Sequence, residues 1–173
     1  MRSIWTTLGV MLAWPGGVSA VEPEKEPHPL SAFLSGKTEL AEKLWTVEAD
    51  RLRGVAGSQE VFVAVTGFLG ISQILLEKFP DAEKSLRECY AVARSLTPPD
   101  PGAVANTEQV LALALAHLGQ YKQSEELLIA YWSGSRNQPE ERVRRRKILM
   151  TNLAHLYLAA GRADDALWCA EQA

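Results

Sequence analysis

Apolar positions near the end of the chain recur at helical spacing. Leu153, Leu156, Tyr157 and Ala160 line one face, Gly161 interrupts, and Ala163 to Ala173 begins a second stretch after a two-residue connection. A 3.6-residue period stopped by glycine predicts two antiparallel helices joined by a tight turn. Such a hairpin carries an apolar stripe it cannot cover alone, so it needs a similar neighbour. Gly161 lies 42 residues after Gly119, and LALALAHLGQYKQSEELL (111–128) then aligns with the terminal hairpin: Leu111 over Leu153, Ala112 over Ala154, Leu115 over Tyr157, Ser124 over Ala166. A second step of 42 reaches Glu77 and sets Leu69, Gly70, Phe79, Ala82 and Leu86 over Leu111, Ala112, Tyr121, Ser124 and Leu128.

The helix predicted from about Gln59 to Glu77 is apolar around most of its circumference, from Val61 and Phe62 to Leu75 and Leu76. Burial on more than one side is therefore expected. Its partner starts near Pro80, a residue suited to a first helical turn, and ends before the run from Pro98 to Pro101, which enforces a break. The next pair spans about Ala103–Leu118 and Tyr121–Trp132, Gly134 to Pro139 reads as a linker, and Glu140 and Glu141 open the third pair at the positive end of a helix dipole. Upstream, Leu40, Leu44, Val47 and Leu52 mark a helix closed by Gly54 and Gly57. It reads as a cap over the first apolar face, the alternative being the second arm of a degenerate leading repeat.

These columns resemble the tetratricopeptide repeat family, whose first helix carries leucine beside a small residue, then an aromatic and a glycine, and whose second helix opens with an aromatic and carries an alanine. Leu153-Ala154, Tyr157, Gly161 and Ala166 follow that pattern, and Ala163 departs from it where an aromatic is usual. The family's usual period is about 34 residues. A 42-residue period is similar to the kinesin light chain variety, and PDPGAVANTEQVLA (99–112) resembles its inter-repeat joint. The resemblance implies an all-α fold, a right-handed α-solenoid of antiparallel helix pairs. Its expected parts are a cap at 38–57 and about three repeats at 58–98, 99–136 and 137–173, the last one short. It also implies a concave groove lined by the first helices, with Asn106, Gln109, Leu113 and His117 in one repeat and Thr151, Asn152 and His155 in the next. Asn and Gln amides both donate and accept, which suits a peptide backbone. Val110 stands where Asn152 stands one repeat later, so a full asparagine ladder is not expected.

The first twenty residues hold Arg2, an uncharged run from Ile4 to Val18, and small residues Val18 and Ala20 flanking Ser19. They read as a cleavable export signal, giving a periplasmic or extracellular protein, or a membrane-anchored one if uncleaved. Pro15, Gly16 and Gly17 argue against a stable span. Residues 21–37 begin with VEPEKEPHPL and read as a flexible leader. A net charge of −3 and 47% hydrophobic composition describe an ordinary globular chain and disfavour a dedicated nucleic-acid binder.

No phosphate loop, HExxH motif or nucleophile elbow is present. The expectation is a non-enzymatic module, without catalytic residues, metal or cofactor, that binds a protein or peptide partner. One alternative is the non-catalytic N-terminal region of a longer enzyme or signalling protein. Another is a metal-dependent enzyme using His117 and His155. Arg142, Arg144, Arg145, Arg146 and Lys147 form a dense cationic run that reads either as a patch for an acidic partner or as a solvated helical turn. Cys89 and Cys169 fall on second helices two repeats apart. Even neighbouring helices stand about 8–10 Å apart, beyond the roughly 7 Å a disulfide spans, so both read as small buried residues. Leu167 and Trp168 sit on the last helix, where an open solenoid end would favour self-association.

Overall fold

The computed structural model describes residues 27–98, 100–133 and 139–172, with backbone alone for 139–142. Residues 1–20, expected as an export signal, residues 21–26 of the expected leader and the expected linker at 134–138 lie outside the described residues. The described chain is all-helical: α1 (Pro29–Leu34), α2 (Thr38–Leu52), α3 (Gln59–Leu75), α4 (Phe79–Ser95), α5 (Pro101–His117), α6 (Tyr121–Ser133), α7 (Pro139–Ala159) and α8 (Ala163–Gln172). Each helix packs on the next, and α3 also touches α5 and α5 touches α7. Among the described residues no helix is long and apolar enough to cross a membrane.

Among the described residues one joint is used four times. Gly36, Glu77, Gly119 and Gly161 adopt positive φ of 77°, 59°, 73° and 73°. The left-handed residue turns the following N–H back toward a carbonyl of the last helical turn. Thus Lys37 N–H donates to Ala32 O, Lys78 to Gln73 O, Gln120 to Leu115 O and Arg162 to Tyr157 O, all at 2.8–2.9 Å. This is the Schellman arrangement, which satisfies carbonyls that a helix end leaves orphaned. Glycine adopts it without a Cβ penalty, whereas Glu77 bears a cost of about 1–2 kcal/mol.

The first of these joints changes the expected N-terminus. Residues 29–34, expected within the flexible leader, form α1, helped by Pro29 in the first turn and by His28 Nδ1, which accepts from Leu30 N–H. Ala32 is buried, and Leu30 and Phe33 pack on the core beside it. The helix expected as a lone cap is therefore the second arm of a leading hairpin with a short first arm. Phe33 meets the Phe68 ring edge-on at 5.9 Å, and Trp45 stacks on the same ring at 5.3 Å. These contacts cover one side of α3, while α4 and α5 cover others.

Within a hairpin, small residues set the closeness of the two arms. Ala82, Ser124 and Ala166 are all buried, as are Ala112 and Ala154 on the facing first helices. Ser124 Oγ donates to the Ala112 carbonyl at 2.6 Å, so these two columns touch. At the matching place on α3, a Cβ added to Gly70 would lie 2.5 Å from Leu86 Cγ. Between hairpins, the aromatic that opens a second helix reaches the end of the next first helix. Phe79 stacks on His117 with centroids 4.2 Å apart, and Tyr121 hydroxyl donates to Ala159 O at 3.0 Å. A polar clasp repeats as well: Lys78–Glu42 at 2.7 Å, Gln120 Nε2 to Glu83 at 3.3 Å, and Arg162–Glu125 at 3.9 Å. Exposed pairs of this kind add little stability, but their recurrence marks a constant step between hairpins.

Candidate functional site

The first helices α3, α5 and α7 lie side by side, and the residues they leave partly accessible define one continuous face. On α5, Asn106 and Leu113 are half-buried and His117 has an exposed edge. The other face of the His117 ring lies on Phe79, and this burial pushes its pKa down, opposed by the Glu77 carboxylate. On α7, Thr151 and Asn152 are half-buried and His155 is exposed. Thr151 hydroxyl donates to Lys147 O at 3.0 Å, leaving its oxygen lone pairs outward. The Asn106 and Asn152 amides make no hydrogen bond among the described residues.

Gln109 differs from its expected place. It is buried, and its Nε2 has no partner among the described residues, so it belongs to the packing under the face. On α3 the corresponding positions are apolar: Phe68, Ile71 and Leu75, with Phe68 partly roofed by Phe33 and Trp45. The face thus runs from apolar at α3 to polar at α7.

The cationic run divides. Arg145 is buried: its Nη1 donates to Tyr131 O at 3.2 Å and its guanidinium lies 5.1 Å from the Tyr131 ring centroid. It therefore does not belong to an exposed patch. A helix turns about 100° per residue, so one of several consecutive arginines must face inward. Arg144, Arg146 and Lys147 are exposed, with Arg146 donating to Gln172 Oε1 at 3.2 Å, and the Arg142 side chain lies outside the described residues. Near Arg145, buried Glu108 accepts from the Tyr90 hydroxyl at 3.1 Å. Burial pushes the Glu108 pKa up, against the opposing pull of that hydrogen bond and of Arg145 and Arg94.

Among the described residues, two hollows open beside α3. One, of about 40 Å³, opens between α3 and α5 and is lined by Ala64, Gly67, Phe68, Ile71, Asn106 and Val110, with Leu86 and Thr107 also bordering it. No charged side chain lines it. The other lies between α2 and α4, is larger at about 520 Å³, and has a mixed lining in which Ala49 and Leu69 stand beside the charged Asp50, Arg53, Asp81, Lys84 and Glu88. There Arg53 is held by both Glu88 and Asp50.

Cys89 and Cys169 are free and buried. Burial pushes the pKa of both thiols up, which disfavours the reactive thiolate. Among the described residues no three His, Cys, Asp or Glu side chains gather where they would hold a metal ion. The apolar hollow is the feature sequence reasoning missed, although mid-helix Gly67 was its signal. No family model matches this chain, and no curated protein matches it either.

Proposed function

We propose that this chain is an exported, non-enzymatic module of the tetratricopeptide kind, a right-handed solenoid that holds a peptide or protein partner along the face of α3, α5 and α7. The observation that carries the reading is the recurrence of one joint and one clasp at each step, which aligns the first helices in a row. Among the described residues, α3 touches α5 and α5 touches α7 more than the second helices touch one another, which supports reading this row as the inner side of a curve. Asn106 and Asn152 present unpaired amides there, each able to donate to and accept from an extended backbone. Main-chain pairing of that kind holds a strand, and neighbouring apolar hollows select its side chains.

Peptides selected on the chain from a random display library should bind an Asn152→Ala, His155→Ala double variant at least tenfold more weakly, with its thermal unfolding unchanged. If every selected peptide binds the double variant as tightly as the parent, the groove reading is wrong. A second reading, self-association through α8, is favoured by the exposure of Leu167 and Trp168, at 61% and 58%. Light scattering decides it: a monomer at high concentration sinks it.

A further inference from the structure

We infer that the hollow between α3 and α5 is a specificity pocket for one branched aliphatic side chain, valine, isoleucine or leucine, of a peptide lying along the groove. The inference rests on the groove reading above and adds what the groove selects. Three observations carry it.

The first is the contrast between two glycines one turn apart on α3. Gly70 is demanded by packing, because a Cβ there would collide with Leu86. Gly67 is not: a Cβ there would meet only Cys89 Sγ, at an ordinary 3.9 Å. Glycine inside a helix is less favourable than alanine by roughly 0.5–1 kcal/mol, yet this glycine keeps a space open where packing and backbone geometry do not require it.

The second is size and chemistry. One water needs about 10–15 Å³ of cavity, so 40 Å³ admits about three or four heavy atoms. That suits a branched aliphatic group and excludes an indole or phenol ring. Ala64, Phe68, Ile71 and Val110 offer it apolar surface, and the absence of charge from the lining leaves a charged side chain without a counter-ion.

The third is Asn106, which borders the hollow with an amide that no described residue pairs. A donor and an acceptor beside an apolar hole match the peptide unit attached to an inserted side chain, whereas a simple hydrocarbon would leave that amide unused.

The test uses the library-selected peptides on the full chain, comparing the parent with Gly67→Ala and with Ala64→Leu, which plugs the hollow from the adjacent turn. The selected peptides should share a Val, Ile or Leu. Replacing it with Ala should weaken binding to the parent at least tenfold, and Gly67→Ala should remove most of that difference while retaining or raising the melting temperature. Asn106→Leu should weaken binding of the peptide, and should weaken N-acetyl-leucine amide, which carries peptide units, more than isobutanol, which carries none. Peptides without a shared aliphatic residue, or equal discrimination by the parent and both plugged variants, overturn the pocket. Should plugging have no effect while Asn152→Ala, His155→Ala still weakens binding, the pocket falls and the groove stands. Should neither change matter, both fall.

Discussion

Helices α3 and α7 are both first arms of hairpins, yet they solve different problems. α3 is enclosed by the leading hairpin, by α4 and by α5, and is apolar around nearly its whole circumference. α7 packs on α6, α8 and α5, opens with a cationic run, and leaves His155 and Leu158 exposed. The place of a helix in the row, rather than the hairpin type, sets how many of its sides must be apolar. The same contrast grades the first-helix face, the proposed groove, from apolar at α3 to polar at α7.

The largest way to break this comparison is to remove the atoms that α3 is built around. Leu86→Ala should cost about 2–5 kcal/mol, because Leu86 is fully buried against Gly70 and the hollow collapses only in part. Leu158→Ala on the exposed side of α7 should stay within about 0.5 kcal/mol. Equal losses in denaturant titration would mean that the two helices are not enclosed differently.

The two glycines sharpen it further. Gly70→Ala should destabilise by about 1–3 kcal/mol, since the new Cβ forces Leu86 off its position. Gly67→Ala should stabilise by about 0.5–1 kcal/mol through helix propensity. Shifts of the same sign in the two melting curves would contradict the assignment of one glycine to packing and the other to open space.

The smallest effect concerns Glu108, on the helix between them. Its pKa is raised on folding, so the folded chain holds more protons than the unfolded chain above the ordinary carboxylate range. The sign follows: stability present at acid pH is lost as pH rises through the folded value. Glu108→Gln keeps an acceptor for the Tyr90 hydroxyl and removes the charge. Its stability should therefore fall less than the parent's over that rise, measured by urea unfolding across pH. Parallel profiles would contradict a burial-driven shift.

Much of the architecture was legible in the chain, because glycine and small residues recur at a fixed step. Gly119 and Gly161 mark their joints directly, and Glu77 is found only by stepping back 42 residues, since nothing about glutamate announces a left-handed turn. The Gly36 joint was missed: it lies 41 residues before Glu77 and follows a six-residue helix beside prolines. Arg145 fits neither the expected acidic-partner patch nor a solvated turn, because helical phase aligns it with buried Leu149, Leu153 and Leu156. For the hollow beside Gly67 the mid-helix glycine is a hint and no more. An apolar helix looks the same in sequence whether its neighbours fill the space beside it or leave it open.

The central claim, that the first-helix row is the binding face, is tested most directly by mapping where a selected peptide lands. Amide chemical shifts followed through a titration should move at Gly67, Phe68, Asn106, Leu113, Asn152 and His155, and stay still along the outer sides of α4 and α6. Shifts concentrated on α4 and α6, with the first helices unmoved, would contradict it.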